Sequence, residues 1–194
     1  FWGKAQPAQD DGQKWHPAVY HMQDVGAVAE VLLKARPQTL MRAAVFLGLE
    51  VKETLALLTL AAVLHDLGKF ARAFQMKVPE LWGEYGEKIG DLDCSRRHWD
   101  DGWMLWDDPD GLGDELLPLI WPKARKTLGS LMNASFAHHG RPCDDEKNSG
   151  LDIGDLFGPG EAAARAFARD TVALLLPHRS EEHTSELQSL SRIS

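Results

Sequence analysis

Residues 52–66 read KETLALLTLAAVLHD, and the chain continues as Leu67-Gly68-Lys69. From Leu55 to Leu64 only Thr59 interrupts the apolar residues, so a helix here is apolar nearly all round and belongs in the middle of a bundle. Gly68 is expected to end it. His65 and Asp66 stand where the buried helix finishes. Adjacent helical residues diverge by about 100° around the axis, so one ion does not serve both equally. Two ions can, because imidazole nitrogen suits transition metals and a carboxylate has two oxygens that can bridge neighbouring cations. An HD pair by itself also fits a satisfied polar contact or a helix cap.

Outward from this stretch the chain reads as further helices separated by Gly, Pro and Asp clusters. Pro17, just after His16, suits a first helical turn, since its missing N–H costs nothing there; Val25, Val28, Val31 and Leu32 follow as its apolar residues. Further helices are expected over Gln38–Leu49, Arg96–Asp107, Lys123–His138 and Glu161–Leu176, with Ser95 as a cap for the Arg96 helix. No alternating strand of useful length is found. Gly-rich and acidic composition predicts long loops over 74–94 and 140–160, and long loops in a compact domain often border a site. The fold class is all-α.

At 194 residues and 44% hydrophobic composition, one domain with one core is expected. No apolar run is long enough for a membrane span and no secretory signal opens the chain, so a cytoplasmic protein without a membrane partner is expected. Cys94 and Cys143 lack CxxC spacing and are expected to be free thiols. The formal net charge of −8 argues against electrostatically driven, sequence-independent duplex binding, which needs many Lys and Arg on phosphates. Residues 179–189, RSEEHTSELQS, resemble the translation of a sequencing adapter. The expected organisation is a domain over residues 1–178, cut short at its C-terminal end, and an artefactual or disordered tail over 179–194.

The remaining histidines give the HD pair its weight. His21 lies in HMQD, His98 in RRHWDDG, and His138-His139 in FAHHGRP. All fall on or beside helices that share one core, so four elements can converge on one pocket. Two neighbouring imidazoles at a helix end are costly to bury without a metal or good acceptors. His16, by contrast, is expected to be no ligand. Trp99, Trp103 and Trp106 recur near helical spacing and read as aromatic core, with Trp2, Trp15, Trp82 and Tyr85 as weaker candidates to line a single-strand path. Asp100-Asp101 and Asp107-Asp108 read as solvated helix surface. Asp144, Asp145 and Glu146 lack an organised calcium pattern.

The segments WGK, HPAVYHMQDVGAVAEVLL, HDLGKFARAFQ with Lys77 and Pro79 following, RRH and AHHGRP occur in order along the chain. Together they resemble the HD-type nuclease domain of the CRISPR-associated helicase-nuclease of type I systems. The resemblance implies an HD-domain helical bundle holding two divalent metal ions. His21, His65 and Asp66 would take one ion; Asp66, as the bridge, with His98, His138 and His139 would take the other. Such a site activates water for in-line attack on phosphorus, and Asp66 and Lys69 are the catalytic candidates. Lys69 can meet a substrate phosphate or instead form a salt bridge to a nearby acid; Arg141 is a weaker candidate. The implied substrate is single-stranded DNA, cut during CRISPR interference. The implied partners are a superfamily 2 helicase domain, fused or separate, and the CRISPR surveillance complex. No Walker-type GxxxxGK[ST] motif occurs, so ATP-driven unwinding does not come from these residues. His-rich ligation favours Mn, Fe, Co or Ni, with Mg also possible.

The family pattern closes the first ligand set with an Asp in an ADW-like motif that is missing here. Asp170, in FARDTVALLL, reads as solvent-facing, so the first ion is expected to be held less well. The competing readings are an HD phosphohydrolase acting on nucleotides and a non-catalytic remnant that keeps interaction surfaces.

Overall fold

The computed structural model describes residues 1–5, 15–81, 94–120, 125–143 and 152–176. Two short strands, β1 (Trp2–Ala5) and β2 (Trp15–Pro17), precede α1 (Ala18–Lys34), α2 (Pro37–Leu47) and α3 (Val51–Leu64). A 3-10 turn over Leu67–Phe70 leads to α4 (Arg72–Gln75) and a second such turn over Pro79–Leu81. Then come α5 (His98–Asp107), α6 (Leu112–Ile120), α7 (Arg125–Phe136) with a 3-10 extension over Ala137–His139, α8 (Ile153–Phe157) and α9 (Pro159–Leu175). The all-α reading holds. The expected boundary at residue 178 and the adapter-like tail, Trp82, Tyr85 and residues 144–146 lie outside the described residues.

Helix α3 is the axis of the bundle, as its composition demands. It starts at a reciprocal capping box: the Glu50 backbone N–H donates to Glu53 Oε2 at 3.3 Å, and the Glu50 side chain accepts from the backbone of Glu53. This satisfies amides that the first turn leaves unpaired. Leu57, Leu60, Ala61, Val63 and Leu64 are buried along it, and Ser135 Oγ on α7 donates to its Ala61 carbonyl at 2.6 Å.

Helix α1 meets α3 through its small residues. Ala18, Met22 and Gly26, spaced four apart, are its buried positions, and a Cβ at Gly26 would come within 2.3 Å of Val63 Cγ2. Two backbones this close leave no room for larger side chains. The expected apolar stripe is therefore not the buried face: Val25 is half-buried, and Val28, Val31 and Leu32 are exposed. The chain also holds strands that alternation did not predict. β1 pairs antiparallel with β2, Trp2 opposite Pro17 and Ala5 opposite Trp15; each is too short to show a period of two.

Several boundaries shift for identifiable reasons. Helix α3 ends at Leu64 with His65 as its C-cap, so Gly68 does not terminate it. A Cβ on Gly68 would stand 1.6 Å from the His98 carbonyl oxygen and 2.6 Å from the Gly102 amide nitrogen. Gly68 is glycine because α5 crosses there. Helix α5 begins at His98, with Arg97 in the cap position, too late for Ser95 to cap it. The expected loop over 140–160 contains α8, capped by Asp152, whose Oδ1 accepts from the Asp155 amide at 3.1 Å. Helix α9 is fastened to α6 by Arg165 and Arg169, both on Glu115, while Arg165 also pairs with Glu161 at 2.8 Å.

Candidate metal centre

The sequence order of α3 and its turn sets the site. His65 Nδ1 lies 2.7 Å from the Ala62 carbonyl. A carbonyl only accepts, so Nδ1 carries the donated proton and Nε2 is the ring nitrogen turned toward Asp66. Asp66 follows at φ −115°, outside the helix, with 1% of its surface exposed. Its two oxygens face different partners. Oδ2 lies 3.0 Å from His21 Nε2, 3.0 Å from His65 Nε2 and 2.7 Å from Lys69 Nζ. Oδ1 lies 3.0 Å from His98 Nε2 and 3.5 Å from His138 Nε2.

Two groups of side chains thus form that could hold a metal ion: His21, His65 and Asp66, and His98, His138 and His139, each with ligand atoms within 4.8 Å of one another. α1, the end of α3, α5 and the end of α7 each supply a part. The rings crowd together, with centroids 4.2 Å apart for His138 and His139 and 4.8 Å for His65 and His138. His98 is buried, whereas His138 and His139 are exposed, so the centre opens to solvent on that side.

The donor set fits a cation. Asp66 Oδ1 and His98 Nε2 are both buried, 3.0 Å apart, and neither makes a hydrogen bond of acceptable geometry. Leaving two such atoms unsatisfied is costly; an ion ligated by both removes that cost. The electrostatics agree. Burial lowers the His21 and His98 imidazoles, against the opposing pull of Asp66, and lowers His138 to about 4. Neutral imidazole is the ligating form. Burial pushes the Asp66 carboxyl up, but His65, His98 and Lys69 outweigh it and hold the carboxyl far below the usual range.

All six expected ligands are therefore brought together, and Lys69 is buried on Asp66, in the salt bridge that was its alternative reading. Arg141 and Asp170 are exposed and stand outside both groups. His16 pairs with Asp24 at 3.2 Å instead. Trp2 is a correction: 7% exposed, it cannot line a substrate path. Its N–H and Nε1–H donate to Gln75 Oε1 and the Gln75 carbonyl at 3.1 Å each, and Gln75 Nε2 returns bonds to the Trp2 and Lys69 carbonyls at 2.9 and 2.6 Å. Gln75 fastens the first strand to the HD turn.

Asp100 and Asp101 also depart from expectation, being 3% and 0% exposed rather than solvated. Asp100 takes Arg97 at 2.5 Å and Asp101 takes Arg96 at 2.6 Å, tying down the segment that leads into His98. Burial pushes the Asp101 carboxyl up to about 6, with Arg96 pulling against it. The i,i+3 spacing of Arg97 and Asp100 was a legible signal. Trp103 and Trp106 are core as expected, but Trp99 is half-buried and packs at a tilt against His139, centroids 4.5 Å apart. It forms a wall of the centre.

No helix among the described residues is long and apolar enough to cross a membrane. Cys94 and Cys143 are not joined in a disulfide, and Cys143 Sγ lies 3.7 Å from the Trp99 carbonyl. No curated protein matches the chain. A solved structure, described as a crystal structure of a CRISPR-associated protein, superposes with a TM-score of 0.67 at 23% identity, over 91% of this chain and 19% of that one. At that identity the likeness speaks for the fold alone, and this chain spans about a fifth of that structure's length. The family described as Cas3, HD domain, matches residues 2–192. The chain belongs to the HD-domain family of Cas3.

Proposed function

We propose that this domain is a metal-dependent nuclease that cuts single-stranded DNA in type I CRISPR interference, in which two divalent ions would be held by five histidines and the shared carboxylate of Asp66. The observation that carries the reading is the division of one buried carboxylate between two imidazole sets, His21 and His65 each 3.0 Å from Oδ2, and His98 and His138 at 3.0 and 3.5 Å from Oδ1. His21 and His65 would hold one ion with Oδ2; His98, His138 and His139 would hold the other with Oδ1. Mn, Fe, Co or Ni suits these nitrogen-rich sets, and Mg remains an alternative.

When bound, the ions supply an activated water and charge stabilisation for in-line displacement at phosphorus. The chain's own residues prepare that chemistry. The Ala62 carbonyl fixes the His65 tautomer. The Arg96–Asp101 and Arg97–Asp100 pairs hold the start of α5 and with it His98. His138 and His139 sit at the open side, where a phosphodiester can approach. The net charge of −8 supports a division of labour in which most DNA affinity comes from a helicase domain or the surveillance complex.

The test is cleavage of circular single-stranded DNA with Mn²⁺, Co²⁺ or Ni²⁺, with Asp66→Ala alongside. Metal-dependent linearisation lost in the variant is expected. No cutting with any ion overturns the nuclease reading, and phosphate release from free nucleotides without strand cutting points to a phosphohydrolase.

A further inference from the structure

The two oxygens of Asp66 are not equivalent. Oδ1 faces only imidazoles among the described residues, and it and His98 Nε2 are left without a hydrogen bond. Oδ2 meets three nitrogens, those of His21, His65 and Lys69. A carboxylate oxygen has about two lone-pair directions, so this side is crowded. Two of the three nitrogens belong to groups that can ligate an ion through a lone pair. An ammonium cannot, because it has three donors and no acceptor.

We propose that Lys69 is a resident competitor for the ion on the His21 side: its ammonium holds Oδ2, so that ion is bound more weakly and only with displacement of the Lys69 side chain. The inference rests on the two-ion reading and adds an order of loading, the His98 side filling first. While it holds Oδ2 the ammonium also lies 5.6 Å from the Phe74 ring centroid, a weak aromatic contact that it shares with Lys77 Nζ at 5.3 Å. The backbone does not need to move. Gln75 Nε2 holds the Lys69 carbonyl at 2.6 Å, so the change is confined to the side chain. Lys69 then becomes free to face a phosphate only after the second ion is in place, which couples full loading to substrate contact.

The test is calorimetric titration of the whole chain with Mn²⁺. Wild type should show two ions of unequal affinity. Lys69→Met should tighten the weaker one by at least about tenfold, the effect expected when a like charge within roughly 4–6 Å is removed, and the stronger one by much less. The gain should vanish on adding His21→Gln and survive adding His139→Gln. Lys69→Gln, which keeps a donor for Oδ2 without the charge, should move in the same direction and serves if the Met variant folds poorly. In the wild type, amine labelling of Lys69 should rise with the second equivalent of metal and not the first.

Two ions in the wild type with no tightening in either variant, or equal tightening at both sites, overturns the role of Lys69 and leaves the two-ion centre standing. Wild type that binds no ion overturns both.

Discussion

Replacing Gly68 with alanine is the sharpest test of how the fold holds the centre. The added Cβ would lie 1.6 Å from the His98 carbonyl oxygen and 2.6 Å from the Gly102 nitrogen, whereas ordinary contact begins near 3.4 Å. Both obstacles are backbone, so no side chain can swing aside. Either α5 moves by roughly 1.5–2 Å relative to the HD turn, or the turn itself distorts. Overpacking of this kind costs typically about 1–3 kcal/mol, and the clash is severe enough to expect the upper end.

The displacement matters more than the energy. His98 is the first residue of α5, and its Nε2 stands 3.0 Å from Asp66 Oδ1; a shift of 1 Å or more takes it out of joint ligation with Asp66. Misplacement of about 1 Å can cost on the order of a hundredfold in rate. Gly68→Ala should therefore lower the urea midpoint and remove the His98-side ion in a Mn²⁺ titration, leaving the His21-side ion less affected. An unchanged midpoint together with unchanged metal affinity would refute the argument that close backbone approach fixes this residue.

Asp66→Asn should abolish binding of both ions and all metal-dependent cutting, because it removes the charge shared by both groups; calorimetry and the circular-DNA assay read this. Adding Mn²⁺ at about a hundredfold the dissociation constant of the tighter site should stabilise the wild type by at least roughly 2.7 kcal/mol, seen as a rise in Tm that EDTA reverses and Asp66→Asn lacks. In chelated protein, stability should fall as pH drops from about 6.5 to about 4, since His138 is lowered from 6.5 to about 4 with His21 and His98 lowered too, so the unfolded chain takes up more protons there. Asp101, raised from 3.8 to about 6, acts in the opposite sense; the lowered Asp66 carboxyl gives stability that is lost only below its unfolded value near 3.8. The urea midpoint measured against pH checks the sum, and His138→Gln should flatten the fall. Gln75→Leu should destabilise by about 2 kcal/mol or more, because it strands the buried Trp2 amide, and the Trp2 and Lys69 carbonyls lose their donor; thermal unfolding reads the loss.

The sequence by itself determined the parts whose signals are local. An apolar run from Leu55 to Leu64 has one physical home, the centre of a bundle, and α3 occupies it. The candidate ligand types were legible because His21, His65-Asp66, His98 and His138-His139 stand on or beside helices of one bundle, and imidazoles and a carboxylate that converge can share a cation. What tertiary structure alone decided was contact between distant segments. The exposed Val28 and Val31 have the same local pattern as a buried stripe; only the approach of α1 to α3 at Gly26 shows which face is covered. Asp100 and Asp101 look like solvated acids until Arg96 and Arg97 fold onto them. Gly68 reads as a helix stop until α5 crosses it. The division of Asp66 between two imidazole sets, with Lys69 on one side only, depends on which carboxylate oxygen each partner reaches, and no spacing in a sequence encodes that direction.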